Sequence, residues 1–436
     1  MPAGFYFLIA AQFASGLADN MLLIVAIHFL QEQGYPGWWA PLLKFSLNLA
    51  YVVLAAWAGP LADSVPKPRL MAWMNALKLL GVVCLLLGAH PALAFVVVGA
   101  AASVYAPAKY GLVTDTVPPR LLVRANGWLE VSVVLSVVLG AVFGGVLVAT
   151  HWPAALTHSL RVWGQQIGGV TSDQWAGLAV VMAVYGLAAG LNLGIRAGQH
   201  RRVGRQGRAG SATWSAFWAD HVRLWRDPLG AISLHITTLY WGVGAVLQFV
   251  ILDWAQHGLG LRLAHGAYMQ ALVALGVILG AALAARWLKL HTTRRIWPVG
   301  YLMAATVACW VWIDALWLVL PMLVCAGAMA GLLLVPMNAM LQHRGALLLS
   351  SGRSIAVQGF NENASVLLML ALYSAAQYAG ASRQSVMLAL ALVMALGLWP
   401  LQRVRWRPRR GSKQQLAPAA VSGRQSGEGG AAGERL

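Results

Sequence analysis

Charge is what this sequence has least of: Asp, Glu, Lys and Arg make up 10% of its 436 residues, and 13 are acidic. A soluble domain carries about 25% charged residues. The 59% of hydrophobic residues standing in their place excludes a water-soluble globule. Cysteine is nearly missing too. Cys84, Cys309 and Cys325 fall in apolar runs, which leaves no disulfide framework and no zinc spacing, and packing is the role expected of them. No His-x4-Asp acyltransferase box, Gly-x-Ser-x-Gly elbow, phosphate-cradling Gly-rich Lys motif or metal cluster occurs, so neither an enzyme nor a cofactor is expected.

What the chain has instead is long apolar runs. A transmembrane helix needs about 20 mainly apolar residues, and Gly, Pro and charge punctuation divides the chain into twelve such spans. They lie near 5–30, 40–59, 70–88, 92–112, 125–149, 174–195, 228–252, 264–285, 296–313, 315–337, 353–377 and 384–401. The runs are too long and unbroken for the alternating strands of an outer-membrane barrel. The fold expected is an all-α polytopic membrane protein.

Lys and Arg are distributed unevenly between the two sets of alternate connections. One set, with both termini, holds 24, and the other holds Arg161, Arg262 and Arg383 alone. Cytoplasmic connections concentrate basic residues, so both termini are expected in the cytoplasm. The net charge of +18 then reflects topology and attraction to anionic membrane lipid, with no nucleic-acid partner needed.

The longest basic connection divides the chain into a six-span half (1–195), a linker (196–227), a second six-span half (228–401) and a basic tail (402–436). The linker opens Gly/Arg-rich, as a flexible tether does. Trp214, Phe217, Trp218 and Trp225 then recur at helical spacing around Asp220, Arg223 and Arg226, as in an interfacial helix or a partner-binding one. The tail is expected to be disordered beyond its arginines. Two halves with a linker suit a transporter whose site lies between them near the bilayer midplane.

Charges inside such spans cost a few kcal/mol each and normally face a protein interior or a wet cavity. Asp19, Lys78, Glu130 and Glu362 are placed so. Gln12, Ser15 and Asp19 share one face of span one; Ser354, Gln358, Asn361 and Ser365 share a face of span eleven beside Glu362. Asn75 on span three, Thr237, Trp241, Gly244 and Gln248 on span seven, and Asn338 and Gln342 on span ten extend this to a polar-lined path between the halves. Fixed ion pairs that only hold helices together are the alternative. Gly140, Gly144 and Gly145 make a small-x3-small face suited to tight packing.

Between spans two and three the chain reads GPLADSVPKPR, and Gly59, Asp63, Lys67 and Arg69 resemble the loop signature of the major facilitator superfamily. The Gly permits close helix approach, and the Asp can cap a helix N-terminus or pair with a cation. Closer still, AQFASGLADNMLL (with Asp19 and Asn20), NALKLLG, YAPAKYGLV, VRANGWLE, VPMNAMLQHRG and IAVQGFNENASVLLML are similar to the bacterial lysophospholipid transporter family of that superfamily, in its order from about residue 5 to 400. The resemblance implies the twelve-helix major facilitator fold and an inner-membrane flippase. It would carry lysophosphatidylethanolamine and lysophosphatidylglycerol to the inner leaflet by alternating access, for re-acylation by an acyltransferase system. A proton-coupled drug or small-molecule exporter of the same superfamily is the alternative.

Three departures from that family stand out: Gln248 in place of an arginine, Arg353 in place of an uncharged residue, and Gly359 in place of an asparagine. Lys78 and Lys109 are candidates for a substrate phosphate, lysine being a point-charge partner for such groups. Asp19 and Glu362 suit an ammonium headgroup or those lysines. Lys109 and Glu130 are expected near the cytoplasmic mouth, as a gate pair or as static anchors.

Overall fold

The computed structural model describes residues 1, 3–35, 39–149, 172–195, 212–255, 259–260, 263–293, 296–313 and 315–402. Every regular element among them is helical. In the first half these are α1 (Ala3–Glu32), α2 (Trp39–Val53), α3 (Ala55–Ser64), α4 (Lys67–Leu86), α5 (Pro91–Thr116), α6 (Leu122–Ala149) and α7 (Ser172–Leu193). A short helix α8 (Trp214–Arg226) precedes α9 (Pro228–Asp253), α10 (Leu263–Trp287), α11 (Val299–Cys309), α12 (Leu316–Leu348), α13 (Ser351–Tyr378) and α14 (Arg383–Gln402). Ten helices are long and apolar enough to cross a membrane, α2 with α3 makes an eleventh crossing bent by 67°, and α11 with its following turn is a shorter apolar helix. Each of the twelve expected spans thus has its helix. The Gly/Arg-rich linker and the basic tail lie outside the described residues.

Span two differs most from expectation. It breaks at Leu54 (φ −93°, ψ 0°), and α3 runs on to Ser64 with Pro60 inside it. A proline denies a bond to the carbonyl four residues back and crowds it; here that carbonyl belongs to Ala56, just past the break. Span ten differs the other way. Pro336 does not end it: α12 continues to Leu348 and so carries Asn338 and Gln342 within one rigid helix. Two of the three cysteines, Cys309 and Cys325, are exposed on the bundle surface and contribute little packing.

One apolar core belongs to the second half alone and joins Tyr240, Trp254, Met303, Trp310, Leu323 and Met394. Another belongs to the first half and includes Leu22, Phe29, Leu43, Phe95 and Tyr185. A third is shared: Ala58, Leu70, Leu112 and Leu129 meet Ala281, Ala284, Val335 and Ala339. This shared core lies at the end of the bundle that carries Asp63–Arg69, Pro119–Leu121 and α8, called here the basic end. Gly140 and Gly144 seat α6 on α1, where added Cβ atoms would fall 2.6 Å from Asn20 Cβ and 2.8 Å from Ile24 Cβ; Gly145 faces open space.

Candidate functional site

Two polar constellations are set into the spans, one in each half. In the first half Lys78 Nζ lies 2.7 and 2.8 Å from the two Asp19 carboxylate oxygens and donates to Ser15 Oγ at 3.1 Å. Ser15 in turn donates to Asn75 Oδ1 at 2.7 Å. The Tyr185 hydroxyl donates to Asp19 Oδ1 at 2.6 Å, and the ammonium sits 5.1 Å from the Tyr105 ring centre and 5.8 Å from that of Tyr185. An ammonium has three donors, and all have partners here. Lys78 is 1% exposed, whereas a quarter of the Asp19 side chain (25%) is open. The lysine is therefore enclosed, and the aspartate is the open member of the pair.

The second-half constellation holds no cation among the described residues. Gln358 Nε2 donates to Asn338 Oδ1 and to Glu362 Oε1, each at 2.7 Å. Thr237, wholly buried, comes from α9 on the same side. Among the described residues no cation lies within 4.0 Å of Glu362. Asn361 and Asn20 turn their amide N–H groups back to their own helices, on Val357 and Gly16 carbonyls. Gln248 does not replace the missing arginine: it donates to Gln270 Oε1 at 3.2 Å and accepts, through its backbone carbonyl, from Gln270 Nε2 at 3.0 Å.

At the basic end the halves are joined. Asp63 accepts from Ser350 Oγ at 2.5 Å and from the backbone N–H groups of Gly352 at 2.9 Å and Arg353 at 3.2 Å, so it caps the first turn of α13. A carboxylate there satisfies otherwise unpaired donors and complements the helix dipole. Gly59 makes the approach possible, since a Cβ on it would lie 2.8 Å from Arg353 Cα. Lys67 bridges Asp115 at 2.7 Å and Asp63 at 3.9 Å, and Ser351 Oγ donates to Asp115 at 3.3 Å. Deeper in, Asn126 and Gln342 exchange two amide hydrogen bonds of 2.9 and 2.7 Å across the seam. Arg69 is exposed.

Lys109 is buried and holds its ammonium 4.4 Å from the Tyr110 ring centre. With the basic end closed, no ion pair within 4.0 Å joins it to Glu130. All hydrogen bonds between the halves found among the described residues lie at the basic end. No group of His, Cys, Asp and Glu suited to a metal occurs among them.

The sequence model of the Major Facilitator Superfamily matches residues 8–360. A lysophospholipid transporter, LplT, of Enterobacter sp. (strain 638) is 36% identical over 400 residues, covering 91% of this chain and 95% of the relative. Its counterpart in Serratia proteamaculans (strain 568) is 36% identical over 371 residues, 84% of this chain and 87% of the relative. The chain belongs to the lysophospholipid transporter family of the major facilitator superfamily. Among solved structures, the superfamily transporter FucP in its outward conformation aligns with a TM-score of 0.70 at 14% identity, covering 92% of this chain and 98% of the other. An outward-facing bacterial homologue of the iron transporter ferroportin gives 0.68 at 13%, covering 92% and 100%. At those identities the likeness concerns the fold. Membership makes the chain a multi-pass membrane protein.

Several residues outside the expected set complete these constellations. Tyr185 orients Asp19, Tyr105 shields Lys78, and Asp115 joins Lys67 to α13. The wholly buried Asn192 is a polar group in the apolar part of its helix, the kind of signal that marks Asp19 and Lys78, whereas Tyr185 carries no such mark. Asp115 sits beyond the expected end of its span, where the helix continues to Thr116.

Proposed function

We propose that the chain is a lysophospholipid flippase of a bacterial inner membrane with both termini in the cytoplasm. It takes lysophosphatidylethanolamine and lysophosphatidylglycerol from the outer leaflet and delivers them to the inner leaflet, where an acyltransferase system re-acylates them. The chain itself catalyses no covalent step. The excess of Lys and Arg in one set of connections supports the orientation, and the names of relatives matched over nearly their whole length support the substrate. The basic end is then the cytoplasmic end, and the structure is the state closed toward the cytoplasm.

The observation that carries the mechanism is the asymmetry between the two constellations. Asp19 is already neutralised by Lys78, so the first half presents a nearly neutral polar wall. Glu362 presents a carboxylate held by Gln358 and no cation, which suits the ammonium of an ethanolamine headgroup. Asn361, one residue before Glu362, and Asn338, which shares the Gln358 amide, add polar groups on the same side. The single acyl chain stays against apolar helix faces while the headgroup moves between the halves. Opening toward the cytoplasm parts Asp63 from α13 and Asn126 from Gln342, and lets Lys109 and Glu130 meet the descending headgroup.

The test is transfer of headgroup-labelled lysophosphatidylethanolamine in spheroplasts with and without the protein. Inward transfer that depends on the protein, and is far slower for the two-tailed lipid, is expected. Equal rates for one-tailed and two-tailed lipid, or export of a drug with no lipid transfer, would sink the proposal.

A further inference from the structure

Helix α8 has three faces, each with a different neighbour. Phe217, Asp220 and Leu224 are buried against the bundle. Phe217 stacks edge-on with Phe360 at 5.2 Å, and Trp214 with Trp57 at 5.9 Å, so the helix touches both halves across the closed seam. Asp220 Oδ2 lies 2.6 Å from Arg353 Nε. That nitrogen has no well-directed hydrogen bond, which makes the contact an ion pair only. At the C-terminal end Asp227 caps α9 through the Gly230 N–H at 2.9 Å and holds the Arg344 guanidinium, with Nε at 3.0 Å.

A second face carries Trp218, His221, Val222 and Trp225 as a stripe one or two residues past the buried positions. Trp218 and Val222 are 46% and 43% exposed, and the His221 ring stacks on Trp218 at 4.8 Å with 17° between planes. Burial lowers the pKa of His221, which favours the neutral ring in its stack. Together with Arg226 these four line an open groove of about 350 Å³. The third face is exposed and basic, with Arg223 and Arg226.

A helix with its flank on protein, an aromatic stripe to one side and arginines beyond it has the layout of an interfacial helix whose rings reach the headgroup level while its cations meet phosphate. We infer that the Trp218–Trp225 stripe and the Arg223–Arg226 face form a docking surface for anionic phospholipid headgroups of the adjoining leaflet. Charge complementarity names the occupant: the groove has an arginine at its rim and no acidic residue in its lining. Trp and Tyr are side chains that settle at the membrane interface. Because the same helix braces both halves, lipid bound there favours the closed basic end. This surface is separate from the substrate path, so its failure leaves the transport reading untouched.

The test places an environment-sensitive fluorophore on Val222→Cys, with Cys84, Cys309 and Cys325 replaced by Ala, in nanodiscs of phosphatidylcholine alone or with phosphatidylglycerol. Phosphatidylglycerol should shift the emission to the blue. The shift should vanish near 1 M salt, where the screening length falls to about 3 Å. Replacing both arginines, Arg223→Gln with Arg226→Gln, should weaken the apparent affinity for phosphatidylglycerol on the order of 30-fold. Unlabelled protein gives a second readout, because trypsin cleavage after Arg223 should slow in the anionic discs. Emission and cleavage that ignore lipid charge and salt would assign the stripe to a protein partner and overturn the inference.

Discussion

The two halves treat their central carboxylates in opposite ways. Asp19 is joined to Lys78, Tyr185 and, through Lys78, to Ser15 and Asn75, all within the first half. Glu362 has one amide donor from Gln358 and a carboxylate otherwise free of cations among the described residues. A closed ion pair can hold a half together whatever the transporter binds. An open carboxylate can respond to its ligand. Under the function proposed above, the difference gives rigidity to the first half and recognition to the second, and both roles can be broken by substitution.

The largest effect is expected from Lys78→Ala. It leaves Asp19, a quarter open, without its cation; removal of one partner of a fully buried pair costs about 3 to 5 kcal/mol, and the open edge of Asp19 sets the cost here below that. Most transport should be lost, and thermal unfolding in detergent should shift down. Asp19→Asn should instead keep membrane abundance, because Lys78 retains Ser15 and an amide oxygen, while transport falls. Gln248→Arg in the Lys78→Ala background tests whether a cation from α9 can serve in its place. Since Gln248 faces Gln270, little recovery is expected. Recovery to half of wild-type uptake at equal abundance would mean that the two constellations exchange charge during transport.

Glu362→Gln should leave abundance unchanged, because an amide oxygen still accepts from Gln358. Its expected signature is selective: uptake of lysophosphatidylethanolamine should drop about tenfold, the equivalent of about 1.4 kcal/mol, with lysophosphatidylglycerol much less affected. Equal losses for both lipids would make Glu362 a part of the moving machinery that does not read the headgroup. A smaller effect again is expected from Gln342→Ala, which removes both bonds to Asn126. Leaving one buried amide unpaired costs about 1 to 3 kcal/mol, and here the cost falls on the closed state. A cysteine placed at Asn338 should then react faster with a membrane-impermeant thiol reagent supplied from the cytoplasmic side.

The contrast between the halves was only partly legible in the residues. Span number and family follow from long apolar runs and the polar strings within them, because an intramembrane charge stands out against such a background. Lys78 and Asp19 carried that signal, but nothing in a linear spacing of 59 residues shows that they touch. Tyr185 is harder still, since a tyrosine in an apolar helix is ordinary. The bend at Leu54 escapes because Pro60 can be absorbed within a continuing helix, as Pro336 is. Arg353 was noticeable as an unusual cation; its partner Asp220 lay hidden in a stretch whose aromatic spacing describes only one of three faces.

The smallest expected effect concerns that partner, and it sets the peripheral α8 apart from the central pairs. Burial raises the pKa of Asp220 above 3.8, Arg353 and Arg223 oppose this, and Asp63 adds to it. With α8 lifted away the carboxyl would return to its ordinary value, so docking and proton uptake are linked. A docked state with the higher pKa gains a proton first as pH falls. Docking should therefore tighten as pH drops through the raised pKa, level off below 3.8, and weaken again as pH rises. Asp220→Asn should remove this dependence and change docking at neutral pH by no more than about 1 kcal/mol, the scale of a partly exposed ion pair. The measurement is the rate of trypsin cleavage after Arg223 between pH 4.5 and pH 8, each rate divided by that of a short peptide of the same sequence to remove the enzyme's own pH profile. A wild-type ratio that falls on acidification while the Asp220→Asn ratio stays flat fits the linkage. Parallel profiles for the two proteins would show that another group governs how α8 sits on the bundle.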